Sequence, residues 1–465
     1  MKIQPAGLPF EETKLFNDLL DILEQKKARN KLKLDYYNQK NRLKDLGISI
    51  PPQLKRMETV VGWPSKAVDA LAMRSRFDGF SYAGTEELSR DIFGLSFKNI
   101  YNQAVKSELI HSCVFLTVSA GDVGEPPAII NAYSAMEAAA MWDWRKKRVK
   151  AGVAIADMQQ NKQGTLEPSV YHLYTSNAVW IITRDENKNW QAELHLHSMG
   201  RPLIEPMVYN PSLSRPFGKS RISRAVMSIT DSAVRASVRA EVSSEFFTAP
   251  QRYILGAKDD LFDGTTKLDA YIGAYLAITR DENGNVPNVG QFPQTSMQPH
   301  MDYIRSLAAR FSGETNIPIS ELGVIHDNPA SAEAMFAAKE SLVSEAEDLN
   351  GTNGEALRAV ALMALATSKN KSLYELNEME RSIMPVFKNP AMPNIAAATD
   401  SAVKLASIVP WYAETGVFWE ELGFDEPKRI RLESERQRSQ ARLALQNLLY
   451  KEGVDATNEA DFGAE

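Results

Sequence analysis

His172, His195 and His197 are the residues whose types and spacing most directly suggest chemistry. Residues two apart on a strand share a face, so His195 and His197 would point the same way. With His172 they could ligate a metal in a hydrolase. The plainer reading is polar side chains on an exposed strand face. Gly218-Lys219-Ser220, ahead of a helix, matches the end of a phosphate-binding P-loop. That motif needs a glycine five positions before Gly218, where Leu213 stands. Arg215-Pro216 also interrupts the backbone that would curl around a phosphate, so the segment reads as a turn and a helix start. Neither Gly-x-Ser-x-Gly nor His-Glu-x-x-His occurs. His300 and His326 have no evident partners, and Cys113 reads as a small buried residue at a strand start. Trp142/Trp144 and Trp411/Tyr412 read as packing anchors. No catalytic constellation assembles, and neither a cofactor nor a metal is expected.

The elements that carry these residues belong to a folded chain of 465 residues, long enough for two to four subdomains. Hydrophobic residues make up 44% and charged residues 24%, as in globular proteins. A net charge of −6 argues against wrapping nucleic acid by static neutralisation. The single cysteine leaves no internal disulfide and no multi-cysteine zinc site, pointing to a reducing compartment. The opening MKIQPAGLPFEETK lacks a signal peptide's apolar core, and no apolar run approaches the roughly 18 residues of a membrane span. No membrane partner is expected.

Leu15, Leu19, Ile22 and Leu23 keep helical spacing and predict a helix over Phe10–Leu46, strongly basic from Lys26 onward. Helices are also expected over Val60–Arg76 and Glu86–Glu108, with a strand ending at Phe80 between them. Val114–Ser119 alternates as a strand, and Ser134–Trp144 reads as a short helix. Strands follow at Val149–Ile155, Val170–Tyr174, Ala178–Thr183, Trp190–His197 and Leu203–Tyr209, with a hairpin turn at Asp185-Glu186-Asn187. The expected fold class is α+β, an antiparallel sheet with helices on one side.

Arg215–Gly256 is the most informative stretch. At 100° per residue, Ile222, Val226, Ile229, Ala233, Ala236, Ala240 and Phe247 fall on one arc. Arg221, Arg224, Arg235 and Arg239 fall on another, about 60° wide. Helical from Ser220 to Phe247, this rod would be roughly 40 Å long. Pro250 stops it, strand candidates Arg252–Leu255 and Ala274–Thr279 follow, and a second helix spans Gln298–Phe311. A Pro/Gly/Asn-rich loop at Ser312–Pro329 leads to a long helix running to Ser368, interrupted or kinked at Asn350–Gly354. Ile383–Phe387 reads as a strand, followed by helices Ala397–Ile408, Val417–Leu422 and Glu426–Tyr450 and an acidic, disordered tail.

This succession resembles the portal proteins, head–tail connectors of tailed double-stranded DNA bacteriophages, and the long-tailed branch in particular. The likeness is spread over the helix ending Tyr36-Tyr37-Asn38, VVGWPSKAVDALAMRSRFDGF (Val60–Phe80), RPFGKSRISRAVMSITDSAVRA (Arg215–Ala236) and TAPQRYILG (Thr248–Gly256). It continues through IPISELGVIHDNPASAEAMFAAKESL (Ile317–Leu342) and DSAVKLASIVPW (Asp400–Trp411). No piece is a catalytic signature; their colinearity carries the resemblance.

The resemblance implies the portal fold, laid out as N-terminal helices and α/β wing (1–219), a first stem helix (220–249) and a β-containing clip (250–296). A second stem helix (297–311), a tunnel loop (312–329), a long bent spine helix (330–368) and a helical crown with an acidic tail (369–465) follow. It implies a non-enzymatic ring of chains, usually a dodecamer, at one capsid vertex of the virion, made in the host cytoplasm. Double-stranded DNA would be packaged and ejected through its channel. Terminase, a head–tail adaptor, the major capsid protein and scaffolding protein would be its partners. Glu321, His326, Asp327 and Asn328 would line the channel. Two readings of the arginines stand: DNA contact, or ion pairs within the chain or with a neighbour, the second being favoured.

Overall fold

The computed structural model describes residues 2–41, 43, 59–81, 93, 95–161, 164–185, 187–248, 252–255, 288–291, 296–323, 337–391, 395–424 and 428–444. The chain divides into two units, Met1–Pro390 and Ala391–Glu465. In the first, α1 (Phe10–Tyr37), α2 (Trp63–Ala72), β1 (Phe77–Ser81) and α3 (Leu95–His111) precede a run of strands. These are β2 (Cys113–Ala120), β3 (Ala128–Ser134), β4 (Ala138–Asp143), β5 (Arg148–Gln160), β6 (Leu166–Tyr174), β7 (Ala178–Arg184), β8 (Trp190–Leu196) and β9 (Ile204–Val208). Then come α4 (Arg224–Thr248), β10 (Arg252–Leu255), β11 (Asn288–Gln291), α5 (Gln298–Thr315), α6 (Glu340–Ser368), α7 (Glu378–Arg381) and β12 (Met384–Phe387).

The strands form two main antiparallel sheets rather than the single one expected. β4 to β8 make a five-stranded meander, and β3-β2-β9 make a three-stranded sheet. Phe16, Leu19 and Leu23, spaced for one face of α1, bury against Val153, Leu173, Trp180 and Ile182 of the meander. Cys113 to Val118 are all buried, so the three-stranded sheet is covered on both faces. α3 and α6 pack against it and share one large core with α2, α4 and α5.

Several expectations are corrected. Ser134–Trp144 is not a helix: the Glu137 carboxylate accepts from the Ser134 amide (3.2 Å) and hydroxyl (2.9 Å), turning the chain so that the alanine-rich run pairs with β5. Cross-strand pairing outweighs alanine's helix propensity there. α1 stops at Tyr37, where the Tyr36 hydroxyl donates to Asp231 (2.9 Å) and Tyr37 donates to Asp69 (3.1 Å). Met384–Phe387 pairs with β1, which ties residues 369–390 to the first unit and not to the C-terminal section. β11, missed in the sequence, pairs with β10. The strand proposed at Ala274–Thr279 and the acidic tail lie outside the described residues.

The second unit holds α8 (Ile395–Ile408), α9 (Gly416–Glu421) and a charged helix over 428–444. Phe418 sits edge-on to Tyr412 and Trp419, and Trp419 stacks on Phe424 at 5.6 Å.

α6 runs unbroken through Asn350–Gly354. The expected breakers are used for packing: Asn350 accepts from Ser75 (2.7 Å), which is hydrogen-bonded to Tyr101 (2.8 Å). Asn353, fully buried, donates to the equally buried Glu108 on α3 (2.9 Å). Burial pushes the Glu108 carboxyl up to about 8, against the opposing pull of Asn353. Between its ordinary 4.5 and about 8, the folded chain keeps a proton that the unfolded chain has lost, so stability falls as pH rises through that window. Glu108→Gln keeps the neutral shape and removes this fall. Its gain over the parent in urea midpoint should grow steadily from pH 5 to pH 8; an equal gain at both pH values would contradict a protonated Glu108.

Candidate functional site

Arg221 sits in the turn that leads into α4, because the helix starts at Arg224 and not at the predicted Ser220, and it is buried. Its Nε donates to the Ala67 carbonyl of α2 (2.6 Å) and Nη2 to the Thr315 carbonyl at the end of α5 (2.6 Å). Nη1 donates to the Tyr209 hydroxyl (3.0 Å) and is paired with the Glu345 carboxylate of α6. Tyr209 also donates to Glu345, whose other oxygen accepts from Asn316 (3.2 Å). Burial, the largest influence, holds the Tyr209 hydroxyl well above its ordinary value, so it stays a donor. One guanidinium thus joins α2, the end of the three-stranded sheet, α4, α5 and α6, using the fixed fork that only arginine offers.

The turn is shaped to deliver it. Gly218 has φ +66°, and a Cβ there would lie 2.1 Å from the Tyr209 carbonyl oxygen. Lys219 N donates to Tyr209 O (3.0 Å) and Arg221 N to Leu109 O (2.9 Å), stitching the turn to β9 and α3. The Ser220 hydroxyl is turned inward to the Ile110 carbonyl (2.6 Å), away from any place a P-loop serine would serve.

Beyond this joint, α4 and α5 pack as a pair, clasped near Arg221 by Ser223 donating to Glu314 (2.7 Å), while Trp63 of α2 packs against Phe311 of α5. α4 buries Val226, Ile229, Ala233 and Ala236 on the arc expected from its sequence, but farther along Val238 and Val242 are buried off that arc and Ala240 is half-buried. α5 is longer than expected at its C-terminal end and buries Leu307, Ala308, Phe311 and Thr315, all in that half. Its other half leaves Met301 and Tyr303 exposed, each by nearly half. β10 and β11 lie between the two helices in the chain.

The remaining predicted residues separate. Arg224 and Arg239 are exposed, while Arg235 is half-buried and donates to Ser232 (3.1 Å). Glu241, on the same helix, accepts from Thr59 (2.9 Å). Glu321 lies in a 3-10 turn (Ile319–Leu322) and pairs with Lys66 (3.3 Å) and Lys339 (3.7 Å). His326, Asp327 and Asn328 lie outside the described residues. The imidazoles do not converge on a metal. His172 meets the Tyr174 hydroxyl (3.3 Å), His195 pairs with Glu193 (3.3 Å), and His197 lies past the end of β8, accepting from Met199 N. Among the described residues no group of three or more His, Cys, Asp or Glu could hold a metal ion. Sequence reasoning missed Glu345, Tyr209 and Asp231, because a polar residue on a helix face carries no mark of a partner far away in sequence.

A helix pair with strands inserted between its members, set on an α/β body by a buried arginine, is the arrangement to be compared with known proteins. The family model described as phage portal protein, SPP1 Gp6-like, matches residues 17–413. The chain belongs to the phage portal protein family. Among its relatives, the portal protein of Mycobacterium phage D29 is 26% identical over 410 residues, 84% of this chain and 81% of that protein. The portal protein of Mycobacterium phage L5 is 27% identical over 390 residues, 80% and 77% of the respective chains. Among solved structures, a chain of the neck of a native gene transfer agent particle aligns with 78% of this chain and 89% of its own, at 12% identity and TM-score 0.41. Neither the family match nor the placement of the three histidines supports the hydrolase alternative.

In this portal chain, Arg221→Ala leaves Glu345 half-buried without its cation and takes the guanidinium donors from the Ala67 and Thr315 carbonyls. A loss of about 3–5 kcal/mol is expected, read as a lowered urea midpoint; a midpoint within error of the parent would show that the joint is dispensable. Gly218→Ala should cost at least about 1–2 kcal/mol from the left-handed backbone alone, checked by thermal melting.

Proposed function

We propose that the chain assembles into a closed ring at a capsid vertex, with double-stranded DNA packaged and ejected through the central channel. The observation that carries this reading is the half-covered helix pair: the N-terminal half of α5 exposes Met301 and Tyr303, which the described residues leave largely uncovered. Large exposed side chains on opposite sides of a rigid helix are what the two neighbouring copies would cover, and identical heterologous contacts close into a ring. α4 and α5 act as the stem, the segment between them as the clip, and residues 1–219 as most of the wing. α6, with the preceding residues from 330, acts as the spine helix, residues 312–329 form the tunnel loop, and the C-terminal section forms the crown.

In this reading Arg224, Arg235 and Arg239 face acids of the adjacent subunit, and Glu321 with His326, Asp327 and Asn328 borders the channel. The chain's net charge of −6 suits a conduit, since tight neutralisation of phosphates would hold DNA in place. A separate terminase motor would supply the energy, an adaptor would dock on the clip, and capsid and scaffolding proteins would meet the wing.

Negative-stain images of the purified chain should show rings with a central hole, of twelve subunits in the particle. Met301→Asp combined with Tyr303→Asp should abolish ring formation while leaving the circular dichroism spectrum unchanged. Rings that persist in this variant would remove the helix pair from the interface, and a compact monomer at every concentration and in the assembled head would end the proposal.

A further inference from the structure

A cavity of about 990 Å³ opens between α1, the end of α3 and the turn that leads into α4. Lys26, Arg29 and Lys33, at positions i, i+3 and i+7 of α1, form one wall. Arg215, Lys219 and Arg224 come from the facing turn and helix start. The carboxylate among its described lining residues is Glu314, which already accepts from Ser223 (2.7 Å). Within the described residues none of these six cations has an ion-pair partner, although the chain as a whole is acidic.

Lys33 is the decisive side chain. It is 7% exposed, lines the cavity, and no acceptor among the described residues takes a hydrogen bond from its ammonium. Beside it, His111 is 5% exposed, and its Nδ1 has no hydrogen-bond partner. A buried ammonium without an acceptor is costly, and surface lysines are seldom held that way. Burial, then the charge of Arg29, lowers the Lys33 ammonium to about 8, so it is still mostly cationic at neutral pH. Its environment lacks an anion.

We propose that this cavity is a phosphate-binding site, taking an oligophosphate or the phosphates of a nucleic-acid strand. Lys33 would donate from the floor, and Arg29, Arg215 and Lys219 would close around the remaining oxygens. Arginine forks and ammonium groups together match the several oxygens of a phosphate better than the two of a carboxylate. Gly218-Lys219-Ser220 thus serves a phosphate without being a P-loop: Ser220 is turned inward, and only Lys219 of the three offers a charge. The site does not depend on ring formation.

Titration calorimetry on the full chain at low salt, with inorganic tripolyphosphate as the probe, tests it. One equivalent should bind per chain, and Lys33→Met and Lys219→Ala should each weaken binding on the order of tenfold or more. Lys150→Ala, exposed on β5 away from the cavity, should leave it unchanged. Lys219 is exposed, so Lys219→Ala keeps the test sound if Lys33→Met fails to fold. A duplex oligonucleotide sharing the same dependence on both lysines would identify a nucleic-acid strand as the source, and tripolyphosphate binding alone would identify a free anion. Absence of binding, binding indifferent to both substitutions, or binding of polyglutamate in preference to tripolyphosphate would each overturn the proposal.

Discussion

The first unit of this portal chain depends on a single buried ion pair whose cation is supplied by a turn. A guanidinium taken out of water is tolerated only if nearly every donor finds an acceptor and its charge is met. Arg221 satisfies that requirement by drawing acceptors from four separate elements, Ala67, Tyr209, Thr315 and Glu345. Those elements cannot shift independently without leaving a buried charge unmatched. The angle at which α4 and α5 leave the α/β body is therefore set by hydrogen-bond geometry as well as by apolar packing. Apolar faces can slide past one another at small cost, whereas a planar fork with directed acceptors cannot.

A second buried network lies farther along α6, where Glu108, Asn353, Tyr101, Ser75 and Asn350 meet in the core. Here the polar groups are neutral, and their role is register: Asn350 and Asn353 match α6 to α3 and to the end of α2. Hydrogen bonds inside a core specify one arrangement among many that apolar side chains would accept. The two networks together fix α6 at two separate points along its length.

What the sequence disclosed follows from the range of each interaction. The long amphipathic helices and the strand alternation from Val149 to Tyr209 are local signals, and α4 buries the arc that its periodicity marks as far as Ala236. The division of the strands into two sheets is set by pairings between distant segments, such as β2 with β9, and has no local mark. Ser134–Trp144 misled because three consecutive alanines favour a helix, while the Ser134–Glu137 turn and β5 decide otherwise. Arg221 was grouped with Arg224, Arg235 and Arg239 by angle alone. The turn at Gly218 starts the helix later, so Arg221 never belongs to the helical arc. Asn350–Gly354 had the composition of a break but the burial of a core helix.

The unbroken course of α6 has a mechanical consequence. At 1.5 Å per residue, its 29 residues make a rod of roughly 44 Å. Just before its first turn, Lys339 is held to Glu321 of the 3-10 turn (3.7 Å), and just past its last, Lys369 is paired with Glu380. A helix that bent at Asn350–Gly354 would absorb a tilt applied at one end as local flexure. A stiff one held at two buried points cannot, so the Glu321 turn and Glu380 keep a constant separation and move only as parts of one body.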